Sequence, residues 1–133
     1  MTTRFADTVF YIALLNPRDE YHETACKLAA AFGGSMVTTA WVITEVANQM
    51  SKPRNRTEFV SLLSDLENHD RVEILPPDRE LYDRGLQLYA KRMDKEWSLT
   101  DCISFIVMED RGLTEAMTAD HHFEQAGFTI LLE

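Results

Sequence analysis

Several things are scarce in this chain of 133 residues, and each scarcity closes off a class of protein. Two cysteines, Cys26 and Cys102, are too few for the multi-bridge framework of a small secreted domain, and their spacing is not that of a metal site. Both fall in predicted helices, where burial as reduced thiols is expected. Long apolar runs are missing: the longest, Val9 to Leu15, has 7 residues, against the roughly 20 that a bilayer span requires. The N-terminus has no basic region followed by an apolar segment and a cleavage site, so secretion is not expected and the cytoplasm is. Five glycines and four prolines leave no linker, repeat or low-complexity tract, and a single domain over residues 1–133 is expected. Basic residues are also in short supply. There are 13 Lys and Arg against 22 Asp and Glu, a net charge of −9, which disfavours tight non-specific DNA binding. Residues 51–95 hold 9 of each sign, so the remaining segments carry the whole excess.

What is present is the material of a folded core, with an apolar fraction of 45%. Short β-prone runs alternate with longer helical patterns, the signature of an α/β domain built on a parallel sheet. Strands are expected at Arg4–Asp7, Ser35–Thr38, Val72–Leu75, Glu115–Thr118 and Thr129–Leu132. A helix opens at Thr8 directly after the first strand. His22 to Phe32 is apolar at Ala25, Leu28, Ala29 and Phe32, which makes one helical face. Trp41 to Met50 follows Thr39 as a cap. Lys52 to Arg56 reads as a basic turn before a helix from Thr57 to Leu66. Pro76-Pro77-Asp78 introduces a longer helix through Tyr82, Leu86 and Tyr89. Thr100 is a candidate cap for a helix from Asp101 to Asp110, and a short one spans Phe123 to Ala126.

Against this apolar background stand four acidic residues. They are Asp7 in Phe-Ala-Asp-Thr-Val-Phe-Tyr, Glu45 in Trp-Val-Ile-Thr-Glu-Val, Asp101 in Ser-Leu-Thr-Asp-Cys-Ile-Ser-Phe, and Asp120 in Thr-Ala-Asp-His-His-Phe. Each adjoins an apolar run, where an isolated charge costs much desolvation energy. Parallel α/β sheets collect their ligand sites outside the carboxyl ends of the strands. Asp7 and Asp120 follow strands one and four, and Asp101 lies in a helical first turn that faces the same edge. Four carboxylates converging there need a hard divalent cation to offset their repulsion. Two such ions held about 3.5–4 Å apart activate a water and stabilise a leaving oxygen in phosphodiester hydrolysis. Thr8 and Thr118 are hydroxyl donors suited to orient Asp7 and Asp120.

These four motifs, in this order, resemble those of the PIN-domain ribonucleases, above all the VapC-like toxins of toxin–antitoxin pairs and their stand-alone relatives. The resemblance runs over essentially the full length. It implies a three-layer α/β fold with a five-stranded parallel sheet in the order 3-2-1-4-5. It also implies Mg²⁺ or Mn²⁺ held by Asp7, Glu45, Asp101 and Asp120, and endonucleolytic cleavage of RNA that leaves 5′-phosphate and 3′-hydroxyl ends. A homodimer is implied as well and, for toxins, inhibition by an antitoxin protein; no membrane is involved.

Other readings of the same residues compete with this one. Asp7, Asp101 and Asp120 each suit a helix cap or first turn on their own, and Glu45 a solvent-facing helical position. A non-catalytic PIN-fold module that binds RNA or a protein partner fits the acidic charge. A phosphotransfer receiver also uses strand-end aspartates but wants a late lysine, and no lysine follows Lys95. Adjacent His121 and His122 diverge on a helix and are not expected to face one ion together. His22 and Cys26 share a helical face but lack a third ligand. Lys52, Arg54 and Arg56, and then Lys91, Arg92 and Lys95, are candidate RNA contacts, with solvated surface as the commoner alternative. Trp41, Trp97, Tyr11 and Phe105 have the chemistry to stack on bases, although core or interface packing is the expected role.

Overall fold

The structure is a computed structural model that describes residues 2–133. Five strands, β1 (Thr3–Ala6), β2 (Ser35–Thr39), β3 (Val72–Leu75), β4 (Glu115–Met117) and β5 (Thr129–Ile130), form one sheet in the order β3-β2-β1-β4-β5. All four pairings are parallel, as the alternation of elements requires. β1 lies at the centre, with Phe5 opposite both Val37 and Ala116. Seven helices among the described residues flank the sheet: α1 (Thr8–Leu15), α2 (His22–Ala31), α3 (Ala40–Gln49), α4 (Pro53–Glu67), α5 (Arg79–Lys91), α6 (Leu99–Asp110) and α7 (His121–Gln125).

The core explains why α1 carries almost no polar face. Phe10, Tyr11 and Ala13 are all buried, together with Phe5 and Ala6 of β1, so the 7-residue apolar run is a buried helix turn by turn. α6 is buried along most of its length through Cys102, Ile103, Phe105, Val107 and Met108. Phe105 stands edge-on to Trp97 and Phe123, with ring centroids 5.0 and 4.9 Å away, a favourable geometry for aromatic pairs. Tyr11, Trp97 and Phe105 are therefore core residues, and Trp41 is half-buried. α5 packs on α6 at Gly85, where an added Cβ would lie 2.4 Å from Ile103 Cγ1. Arg84 pairs both terminal guanidinium nitrogens with Asp110 across the same interface, at 2.6 and 2.8 Å.

Several expected boundaries shift, each for an identifiable reason. The basic stretch after Met50 is not a turn: Lys52 is the N-cap of α4 and Pro53 its first residue, so Arg54 and Arg56 are already helical. Proline suits that position because its missing N–H has no helical partner there. α6 begins at Leu99 with Ser98, not Thr100, as its cap. Ser-x-x-Asp offers a reciprocal capping box, which a cap at Thr100 cannot match. β5 is shorter than expected, although backbone bonds from Leu131 to Ala116 and from Leu132 to Thr118 continue its line along β4. Cys102 is buried, but Cys26 is exposed. α2 turns Ala25 inward, and the next residue lies a hundred-degree step around the helix, on the outer face.

Candidate metal centre

The central strand delivers Asp7 to the carboxyl edge of the sheet, where its N–H still bonds Met117 O of β4 at 3.3 Å. Asp7 occupies the N-cap of α1, yet its side chain makes no capping bond there. A cap aspartate ordinarily accepts from the second or third helical N–H. Instead, Asp7 Oδ2 accepts a hydrogen bond from the Thr118 hydroxyl at 2.9 Å. The carboxylate is 3% exposed. Burial, and then the nearby charges of Asp101 and Asp120, push its pKa up from 3.8 to about 7, against the opposing pull of hydrogen bonds from Thr8 and Thr118.

Asp101 sits in the first turn of α6 within the capping box: its N–H bonds Ser98 Oγ at 3.0 Å, and Ser98 N–H bonds its Oδ2 at 3.2 Å. Desolvation, followed by repulsion from Asp120, raises its pKa above the ordinary value. Asp120 caps α7, its Oδ1 accepting from His122 N–H at 2.9 Å. Its own N–H bonds Thr118 Oγ1 at 3.1 Å, so a single threonine ties Asp7 and Asp120 together.

Glu45 enters from the side. It lies half-buried in α3, and its Oε1 receives the Thr8 hydroxyl at 2.6 Å. Thr8 is the residue after Asp7, so this bond anchors Glu45 beside the aspartates. Thr118 thus donates its hydroxyl to the Asp7 carboxylate and accepts only the backbone N–H of Asp120. The hydroxyl of Thr8 serves Glu45 instead, while Thr8 assists Asp7 through its backbone N–H.

Sequence reasoning missed one member of this cluster. His122 Nδ1 lies 3.1 Å from Asp101 Oδ2 and 3.4 Å from Asp120 Oδ1. The donor atoms of Asp120, His121 and His122 all fall within 4.8 Å of one another, which overturns the expected divergence of the two histidines. The reason is position: they open a five-residue helix directly after its cap, where side chains tilt back toward the N-terminus and over the cap. The signal available in the sequence was the spacing of two from Asp120.

Among the described residues, none of the candidate RNA contacts pairs with a carboxylate of this centre. Lys52, Arg54 and Arg56 belong to the start of α4, where Arg56 Nε bonds Ser51 O at 2.6 Å. Lys91 ends α5, Arg92 pairs with Asp94 at 3.0 Å, and Lys95 approaches the same carboxylate at 3.9 Å. Arg92 also stacks over Trp97, 4.9 Å from the ring centroid. A groove lined by Ile12, Asn16, Arg18, Gln49, Arg54 and Glu58 opens one helical turn beyond Thr8 on α1 and one turn beyond Glu45 on α3.

The donor set fits a divalent cation. Among the described residues no Lys or Arg pairs with Asp7, Asp101 or Asp120. Buried and half-buried carboxylates that repel one another with no Lys or Arg beside them, and with the His122 imidazole near Asp101 and Asp120, are the oxygen ligands such an ion takes.

A parallel sheet in this order, with acidic side chains gathered at its carboxyl edge, defines a class of metal-assisted hydrolases. A family model described as PIN domain matches residues 4–129, and the chain belongs to that family. It is 30% identical over 125 residues to the 23S rRNA-specific endonuclease VapC20 of Mycobacterium tuberculosis, an alignment that covers 93% of this chain and 94% of VapC20. The crystal structure of that VapC20, described as a sarcin–ricin loop cleaving toxin, superposes with a TM-score of 0.86 at 25% identity, covering 96% of this chain and 97% of the other. DNA-bound VapBC from Salmonella typhimurium shares the fold, with a TM-score of 0.65 at 17% identity over 98% and 97% of the two chains.

Proposed function

We propose that this protein is a divalent-metal-dependent endoribonuclease whose centre is Asp7, Glu45, Asp101 and Asp120. The observation that carries this reading is the buried Asp7 carboxylate, left out of its own helix cap and held by Thr118 among like charges. A bound Mg²⁺ or Mn²⁺ supplies charge for the scissile phosphate and lowers the pKa of a water at neutral pH. The protein's part is to fix the acceptors. Thr118 aims Asp7, the Ser98 box aims Asp101, and Thr8 aims Glu45. Pre-set carboxylates of this kind would hold the cation without reorganisation.

The substrate in this reading is structured ribosomal RNA, the class named for VapC20. The groove beside α1 and α3, which carries Arg18 and Arg54, supports a path for its backbone next to the acidic centre. Lys91, at the end of α5, adds positive charge on the segment leading to Ser98. The same reading includes a homodimer and an antitoxin partner. In its support, α5 leaves Tyr82, Leu86 and Tyr89 exposed on one face, with Met93 just past its end. Among the described residues, no helix is long and apolar enough to cross a membrane, in keeping with a site of action in the cytoplasm.

The test is cleavage of a 23S rRNA fragment containing the sarcin–ricin loop by the purified chain, with Mn²⁺ or Mg²⁺ and with chelator. Metal-dependent cutting is expected, with a loss of about a hundred- to a thousandfold in Asp7→Asn, the range for removing a transition-state electrostatic group. Cutting by Asp7→Asn at the parent rate overturns the assignment. Absence of cutting across varied RNAs by folded, antitoxin-free protein favours a non-catalytic binding module.

A further inference from the structure

The acidic centre contains a nitrogen, and its placement bears on which metal the site prefers. His122 is held on two sides: its backbone N–H bonds Asp120 Oδ1 at 2.9 Å, and its Nδ1 lies 3.1 Å from Asp101 Oδ2. Nδ1 also stands 3.4 Å from Asp120 Oδ1. Two donors at right angles on an ion with bonds of about 2.0–2.2 Å are separated by about 3 Å, the edge of an octahedron. The imidazole nitrogen is thus spaced from each of two carboxylate oxygens as a neighbouring ligand is, and it shares with Asp120 and His121 a group whose donor atoms lie within 4.8 Å of one another. Only a fifth of its side chain is exposed, so the ring is confined beside the aspartates rather than free in solvent.

Resting on the metal-dependent reading above, we propose that His122 is a ligand to the metal and shifts the preference of this site from Mg²⁺ toward first-row transition ions. Mg²⁺ is a hard cation that takes oxygen and keeps its waters, and an imidazole adds little to its binding. Affinity for a mixed nitrogen and oxygen site rises from Mn²⁺ through Fe²⁺ to Co²⁺. An all-carboxylate centre discriminates less among these ions. His121, with 70% of its side chain exposed and its Nδ1 3.9 Å from Asp120, is not required.

The rival role for His122 is a plain N–H donor that orients Asp101. His122→Asn separates the two, because the asparagine amide keeps a donor near the position of Nδ1 but has no imidazole. The experiment titrates the full chain with Mg²⁺, Mn²⁺ and Co²⁺ by calorimetry and records the electron spin echo of the Mn²⁺-loaded protein. Circular dichroism confirms that the variants fold. Expected are Mn²⁺ affinity at least about tenfold above that for Mg²⁺, Co²⁺ tighter still, and an imidazole nitrogen coupling in the spin echo. His122→Asn loses that coupling and about tenfold or more in Mn²⁺ affinity, the scale on which ligand-shell changes act, with Mg²⁺ binding within about twofold. His121→Asn retains the coupling. Equal affinity for Mg²⁺ and Mn²⁺ without nitrogen coupling overturns the role of His122 and leaves the carboxylate centre standing. A coupling that survives in His122→Asn does the same. Failure of all three ions to bind overturns both.

Discussion

Asp7 is the residue on which stability and function pull in opposite directions. Its carboxyl is held at about 7, against 3.8 in the ordinary case, chiefly because it is buried. An acid whose folded pKa is raised stabilises the fold while protonated. That contribution is complete below the unfolded value and is lost as pH rises through the folded one. Without metal, the stability of the chain is therefore expected to fall between about pH 4 and pH 7 on account of Asp7, by a few kcal/mol. Asp7→Asn should flatten that slope and raise stability at neutral pH, as read from urea midpoints across the window. An unchanged slope would show that the carboxylate is already solvated. Thr118→Val tests the neighbouring bond at nearly constant volume. Loss of the hydroxyl shared by Asp7 and Asp120 should weaken divalent binding about 10–100-fold by calorimetry.

At the scale of the element, α6 is the piece whose start decides where a ligand goes. Ser98 and Asp101 cap each other, so Ser98→Ala removes a helix cap and loosens a candidate metal ligand in one step. Stability should drop by about 0.5–2 kcal/mol in denaturant titration, and metal affinity should fall with it. A stability loss with unchanged metal binding would show that Asp101 is held by its helix alone. The α5–α6 crossing gives a contrasting case with no ligand involved. Gly85→Ala sets a Cβ 2.4 Å from Ile103 Cγ1, and overpacking of this kind costs about 1–3 kcal/mol. Ile103 lies two residues beyond Asp101 on α6, so metal affinity unchanged in this variant would show that the Ile103 side chain yields while the start of the helix stays in place.

For the whole molecule, the net charge of −9 and the gathering of carboxylates at one edge have one consequence. The folded chain stores repulsion that a bound cation relieves, so metal binding and folding are coupled. Saturation at about a hundred times Kd should stabilise the fold by about 2.7 kcal/mol. This appears as a rise of several degrees in Tm with Mn²⁺, reversed by chelator. Asp7→Asn should begin from a higher metal-free Tm and respond less. A parent protein whose Tm is indifferent to Mn²⁺ would count against a metal centre at this edge.

The alternation of strands and helices was legible in the chain alone, because burial on both faces of a parallel sheet leaves apolar runs too distinctive to mistake. The edge strand β3 is read to the residue because its apolar run stops at Pro76-Pro77, and α1 opens where expected, at Thr8. The sequence also marked Asp7, Glu45, Asp101 and Asp120, since charges beside apolar runs stand out without any knowledge of contacts. Local chemistry was less legible where two residues compete for one role: Ser98 and Thr100 both make good caps, and the reciprocal bond from Asp101 decides between them. That Thr118 serves Asp7 across 111 positions, that Thr8 serves Glu45 and that His122 reaches Asp101 emerge only from the fold. Those partners are distant in the chain and become neighbours only when separate segments end at one edge of the sheet. Periodicity reports which face of an element is buried; it carries no information about which side chain from another element it meets there.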